Sequence, residues 1–191
     1  MNQQPQEDRL VTVITGPSGV GKSTIVRRAR ELCEAEYSVS ATTREPRDGE
    51  RDKEDYFFID DETFKRMVDD GQMLEWAEVF GCSYGTPAAQ VRDAVARGEK
   101  IILDVDVQGG IQVADKIPNA KFILIVPPDM ETLRERLTHR GSETTEQLER
   151  RLGKAQSELS IARESGVYKI EIINDDLDDA IQRVVDEINQ E

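Results

Sequence analysis

Eight residues constrain this chain more than any others: Gly16, Pro17, Ser18, Gly19, Val20, Gly21, Lys22 and Ser23. They satisfy G-x-x-x-x-G-K-[ST], and their flanks suit it. A short β-rich run, Leu10 to Thr15, precedes them, and a helically spaced segment, Ser23 to Cys33, follows. Glycines let successive backbone N–H groups turn inward around phosphate oxygens. The helix that starts there adds the positive end of its dipole. A lysine at Lys22 reaches the β- and γ-phosphates, and a hydroxyl at Ser23 faces Mg²⁺. The motif therefore demands strand, tight loop and helix in that order, and it implies a nucleoside triphosphate. The phosphoryl acceptor stays open at this point: water, a protein, a small metabolite or a nucleotide.

The rest of the chain alternates in the same way. Ile101 to Val105 and Phe122 to Val126 are continuous apolar runs, which suit parallel strands buried on both faces. Residues 56–59 and Met73 to Phe80 read as extended, and Val167 to Ile173 alternates as a strand. Asp60-Asp61 caps a helix carrying Phe64, Met67 and Val68 that ends at Gly71. Thr86-Pro87 reads as an N-cap followed by proline at the first helical position, with a stop at Gly98. Helices are also expected over Leu133 to Leu137, over Thr144 to Arg163, and in a final segment burying Leu177, Ile181, Val184, Val185 and Ile188. In the first helix the apolar stripe is Ile25, Ala29 and Leu32, with Cys33 a buried thiol. Strands alternating with helices predict an α/β fold, a parallel sheet covered on both faces. Residues 44–97 break the alternation and suggest an inserted lobe in a single domain.

A net charge of −14 argues against long-range capture of nucleic acid or of an anionic membrane. An anionic ligand has to be held by local donors against that field. No stretch is apolar for long enough to cross a membrane. The polar N-terminus lacks the pattern of a signal peptide, and its first eight residues are expected to be disordered. Two cysteines make no disulfide framework, and the chain reads as cytoplasmic. His139, the only histidine, leaves no histidine-based metal site or catalytic triad.

Three further segments carry chemistry. ILDVD, Ile102 to Asp106, ends an apolar strand in acid, and Asp104 and Asp106, two apart, are expected on one strand face. There one holds the Mg²⁺ shell and the other reads a substrate. Asp106 to Gly109 also matches the D-x-x-G of GTP-hydrolysing switches. The N-K-x-D that should accompany it is missing, since Asn174-Asp175-Asp176 lacks the lysine. Arg134, Arg136, Arg140, Arg150, Arg151 and Lys154 give a local excess of cations. They form either a mobile segment pivoting at Gly141, stabilising charge in phosphoryl transfer, or a solvated face with pairs such as Glu146–Arg150. Arg44, Arg47 and Arg51 likewise belong to a solvated loop or are placed for one anion.

Taken in order, GPSGVGKST, SVSATTREPRDGE, KEDYFF, EWAEVFGCSYGT, ILDVDVQG, RGSETTEQLERRL and INDDL resemble the guanylate kinase family, from about Val11 to the final helix. TTREPR, then DY, then EW…YGT is the specific part. Cys82-Ser83 departs from the polar-aromatic pair frequent there, and Thr86 replaces a serine found in some members. The resemblance implies that ATP and GMP give ADP and GDP, with dGMP a further acceptor and Mg²⁺ accompanying ATP. It implies a P-loop core (9–43, 98–138 and 165–191), a GMP-binding lobe (44–97) and a helical lid (139–164), in a monomer or weak homodimer. Arg44 and Arg47 then match the pair gripping the GMP phosphate, with Tyr56 and Tyr84 donating hydroxyls, while Arg51 stays solvated. Ser40, Glu75, Thr86 and Asp104 match guanine-reading positions. A carboxylate accepts from guanine N1–H and N2–H₂, and a hydroxyl donates to O6, whereas adenine inverts that edge. Lys22, Arg140 and Arg151, with Arg136 beside them, match the charge-stabilising set. Gly16 to Thr24 and Asn174 match the ATP site, and Ser23 and Asp106 the metal positions. Two other readings share some of these features: a guanylate-kinase-like protein-binding module, and a kinase acting on a phosphorylated sugar.

Overall fold

The structure, a computed structural model, describes residues 7–79, 81–139 and 144–190, with His139 represented by its backbone alone. A 3₁₀ turn, Asp8–Leu10, leads into strand β1, Val11–Thr15. The phosphate loop then delivers the chain to helix α1, Lys22–Cys33. Strands β2 (Glu36–Tyr37), β3 (Ala41–Thr42) and β4 (Phe57–Phe58) follow, then helix α2, Asp61–Asp69. A hairpin of β5 (Met73–Val79) and β6 (Cys82–Pro87) precedes α3, Ala88–Ala96. Strand β7 (Ile101–Asp104), helix α4 (Val107–Lys116) and strand β8 (Lys121–Val126) return to the core. The chain ends with α5 (Met130–His139), α6 (Thr145–Ser165), β9 (Ile170–Ile173) and α7 (Leu177–Asn189).

Five strands form a parallel sheet in the order β2-β7-β1-β8-β9. Its two faces explain the continuous apolar runs. Val11, Val13, Leu103, Phe122, Leu124 and Val126 join one buried cluster with side chains of α3, α4 and α6. Ile14, Ile102, Ile123, Ile125 and Ile172 turn to the other face, against α1 and α7. Alternate residues of one strand thus feed opposite cores, so no position can be polar without cost. Because β7 and β8 lie on opposite sides of β1, the loops after β1 and β7 open beside each other at the carboxyl edge. In open sheets that is where ligands bind.

Four strands form a second, mixed sheet, β4-β3-β6-β5. Helix α2 covers it through Phe64, which packs with Ala41 and Met73. This sheet begins at Ala41, inside the stretch expected to be core. Helix α3, expected in the lobe, packs Ala88, Val91 and Ala94 into the main core.

Several local expectations need correction. Leu32 is 56% exposed and Leu177 39%. Both lie on apolar stripes, but in the terminal turns of their helices. Cys33 is only half-buried. Thr86 does not cap α3. It belongs to β6, its hydroxyl donates to Glu75, and Pro87 with φ −64° is the N-cap. Gly166, with φ 67°, closes α6, and the strand that follows begins only at Ile170.

Candidate active site

The phosphate loop joins β1 to α1. Gly21 takes φ 97° at the helix N-cap, and the N–H groups of Thr24 and Ile25 bond back to its carbonyl. A Cβ on Gly16 would lie 2.5 Å from the carbonyl oxygen of Ile125, so only glycine lets the loop run this close to β8. The residues from Gly16 to Thr24, apart from Val20, line a cavity of about 310 Å³. Val20 is wholly buried in the core, which leaves its backbone alone as a possible ligand contact. Lys154 and Glu158 of α6 form another wall, and burial pushes the Glu158 carboxyl up.

Asn174, expected in the ATP site, lies beneath the loop. It is 4% exposed, its Nδ2 donates to the carbonyl of Val20 at 2.7 Å, and its Oδ1 is buried without a partner. This amide braces the loop from below.

The two acids after β7 do not share a strand face. The strand ends at Asp104, which pairs with the Lys22 ammonium. Asp106 is the N-cap of α4, accepting from the N–H of Gly109 at 2.8 Å. Aspartate is a favoured N-cap residue, and this local bond outweighs the extended pattern. The D-x-x-G similarity is thereby accounted for as a helix cap. Asp106 still borders the phosphate-loop cavity.

A second cavity, about 240 Å³, is lined by Ser40, Tyr56, Glu75, Tyr84, Asp104 and Asp106 among others. Glu75 of β5 is 7% exposed, and Thr86 of β6, 1% exposed, donates to its Oε1 at 2.6 Å. Burial pushes the Glu75 carboxyl above its usual range, against the pull of the Thr86 bond. Cross-strand pairing of Glu75 with Thr86 makes this contact possible.

Arg44 lies against Tyr56, which lines this cleft. Its Nη2 meets Glu50 at 2.9 Å, its Nη1 donates to the Glu45 carbonyl at 2.7 Å, and its guanidinium lies 5.5 Å from the centre of the Tyr56 ring. The hydrogen bond that Arg44 donates to Glu50 raises the Arg44 pKa further and lowers that of Glu50. The Arg47 side chain is exposed, while its backbone N–H donates to Glu50 at 2.8 Å. Arg51 forms an exposed pair with Glu54, which favours the solvated reading.

Of the basic segment, Arg151 reaches the phosphate loop, its Nη2 donating to Ser18 Oγ at 2.7 Å. Arg136 donates to the Asp175 carbonyl at 3.4 Å, with Nη1 buried and unpaired. Arg134 is engaged by Glu149. Arg140 and Gly141 lie outside the described residues. Two groups that sequence reasoning missed shape the site: Glu50, which holds Arg44, and Gln112, which bonds to β5. Neither has a signature in its neighbours along the chain. Between α1 and residues 50–56 a third cleft of about 360 Å³ has Arg27 and Arg30 facing Glu50, Glu54 and Asp55.

A family profile described as guanylate kinase matches residues 8–191. The guanylate kinase of Caldanaerobacter subterraneus subsp. tengcongensis is 42% identical over 176 residues, covering 92% of this chain and 84% of that one. The Synechocystis enzyme is 42% identical over 180 residues, covering 94% and 93%. The crystal structure of guanylate kinase from Anaplasma phagocytophilum superposes with a TM-score of 0.69 at 32% identity, over 92% of this chain and 82% of that one. With a phosphate loop, a buried carboxylate in the neighbouring cleft and this extent of likeness, the chain belongs to the guanylate kinase family.

Proposed function

We propose that the two adjoining cavities hold ATP and GMP, and that the buried Glu75 selects the acceptor base. The chain is an ATP:GMP phosphotransferase, giving ADP and GDP. The observation that carries the assignment of the base is the Glu75–Thr86 pair, enclosed in the cleft beside the phosphate loop. A carboxylate there accepts from guanine N1–H and N2–H₂. Adenine would set an acceptor and no matching donors against it, leaving buried groups unpaired. Ser40, Thr86 and Asp104 complete the base-reading set. dGMP is accepted as well.

Arg44 and Arg47, with the Tyr56 and Tyr84 hydroxyls, take the GMP phosphate. The guanidinium fork matches phosphate oxygens, and Glu50 occupies that fork on Arg44 until the phosphate displaces it. The loop N–H groups from Gly16 to Thr24 cradle the ATP phosphates. Lys22, Arg136 and Arg151, with Arg140 by family resemblance, stabilise the oxygens that gain charge in an in-line transfer. The second phosphate pKa, about 6, leaves the GMP oxygen largely ionised, so no side chain has to remove a proton.

Ser23 and Asp106 border the phosphate cavity and offer a hydroxyl and a carboxylate oxygen. Hard donors that few, completed by phosphate oxygens and water, fit Mg²⁺. Bound there with ATP, Mg²⁺ would neutralise charge on the β- and γ-phosphates. The cleft between α1 and residues 50–56 supports closure of a lobe (44–97) over GMP, and the Arg151–Ser18 bond supports a lid (139–164) over ATP. The working unit is taken as a monomer or weak homodimer.

The test is ADP release with ATP and Mg²⁺ held fixed and GMP, AMP, CMP, UMP or ribose 1,5-bisphosphate supplied in turn. Turnover with GMP and not with the others is expected. Turnover with the sugar phosphate instead would remove the base assignment, and ATP binding without any turnover would favour a protein-binding module.

A further inference from the structure

Helix α4 presents Gly109, Gln112 and Lys116 on one face, spaced by three and four residues. That face meets β5, the edge of the mixed sheet. An edge strand leaves alternate backbone groups without ladder partners. At Trp76 both are taken by a single side chain. The Trp76 N–H donates to Gln112 Oε1 at 3.2 Å, and Gln112 Nε2 donates to the Trp76 carbonyl at 3.0 Å. A primary amide offers one acceptor and a donor side by side, so Gln112 stands where another strand would pair.

Three residues earlier, the Lys116 ammonium donates to the carbonyl of Met73 at 2.7 Å. Glu75 lies between these two anchored residues. The same helix face also adjoins its carboxylate. A Cβ on Gly109 would sit 2.8 Å from Glu75 Oε2 and 3.2 Å from its Cδ. The bare glycine therefore gives one carboxylate oxygen its place, while Thr86 holds the other.

We infer that Gln112 is a positioning residue for acceptor recognition: its amide fixes the backbone beside Glu75 and so sets the carboxylate against the guanine edge. This rests on the assignment of Glu75 to that edge. Trp76 is exposed, so the paired bonds cover no apolar core, and their effect is to hold a strand in register with a helix. Without them β5 keeps its ladder to β6 and the Lys116 bond at Met73, but the backbone beside Glu75 is released and the carboxylate loses its fixed height over Gly109. A displacement of that kind weakens the bonds to guanine N1–H and N2–H₂ and leaves the phosphate loop untouched.

The experiment compares wild type, Gln112→Leu, Gln112→Glu, Glu75→Gln and the double variant Gln112→Leu/Glu75→Gln. For each, kcat/KM is measured with GMP and with inosine monophosphate, which lacks the 2-amino group, together with KM for ATP and Tm. Gln112→Leu removes both bonds. It is expected to lower the GMP-to-IMP preference roughly tenfold, mainly through KM for the acceptor, with KM for ATP and Tm unchanged. Gln112→Glu keeps the acceptor for Trp76 N–H and is expected to fall between. The double variant is expected to discriminate no worse than Glu75→Gln alone, because Gln112 acts through Glu75. The inference is overturned if Glu75→Gln loses the preference and Gln112→Leu retains it. It is also overturned if the two losses multiply, or if both substrates' KM values and Tm shift together. An unaltered preference in Glu75→Gln would instead remove the assignment of Glu75, and the inference with it.

Discussion

Glu75 shows how one buried group ties stability to function. Its carboxyl is displaced upward by burial, so the folded protein holds that proton more tightly than the unfolded chain does. The resulting contribution to stability is fully present below the unfolded value, about 4.3, and is lost as pH rises through the raised folded value. Glutamine keeps the neutral form at every pH and can still accept from Thr86. Glu75→Gln is therefore expected to match wild type in acid and to exceed it in stability at neutral pH. Urea denaturation at pH 4, 6 and 8 reads this directly, and a stability difference independent of pH would contradict it. Under the proposed assignment of Glu75, the gain costs the anionic acceptor for guanine, an instance of a site held at the expense of stability. Arg44 shows the complementary case, a cation kept charged and oriented by the Glu50 carboxylate.

The phosphate loop is the element in which local and distant contacts meet. Gly16 is required by the Ile125 carbonyl, and Gly19 by Leu133 and Leu137 of α5, which a Cβ would strike. From below, Asn174 at the end of β9 holds the Val20 carbonyl. Asn174→Ala leaves that buried carbonyl unpaired, a loss of about 1–3 kcal/mol. In a domain of this size each kcal/mol lowers Tm by roughly 2–4 °C. KM for ATP is expected to rise with the fall in Tm, while the GMP-to-IMP preference stays as it was. Thermal unfolding and steady-state kinetics check both, and a change in base preference would argue against a role confined to the loop. Helix α6 has its own local support, a capping box between Thr144 and Gln147, which firms the first turn of the element carrying Arg151.

In the molecule as a whole, two sheets meet at a cleft lined by residues of both, Glu75 and Tyr84 from the mixed sheet and Asp104 from the parallel one. Arg27 and Arg30 of α1 face Glu50, Glu54 and Asp55 across about 360 Å³, so opposite charges are arranged to approach. Saturating GMP is expected to reduce the radius of gyration in small-angle scattering, and AMP is not. An unchanged radius with GMP would count against closure. The order of strands and helices could be read along the chain, because periodicity, glycine turns and proline caps act within about ten residues. ILDVD and FILIV announced buried parallel strands, and GPSGVGKS announced its own loop. Failures came where a local rule met a distant partner. Thr86 fits the local pattern of a helix cap but is the hydrogen-bond donor to Glu75, and Leu32 and Leu177 keep the helical period but are only partly covered. The pairs that make the site, Lys22 with Asp104, Arg151 with Ser18 and Gln112 with Trp76, join residues 82, 133 and 36 positions apart. No local pattern encodes such contacts. They exist because the crossovers of the parallel sheet bring α1, β7, α4 and α6 beside the phosphate loop and the mixed sheet, and tertiary packing sets which side chains meet there.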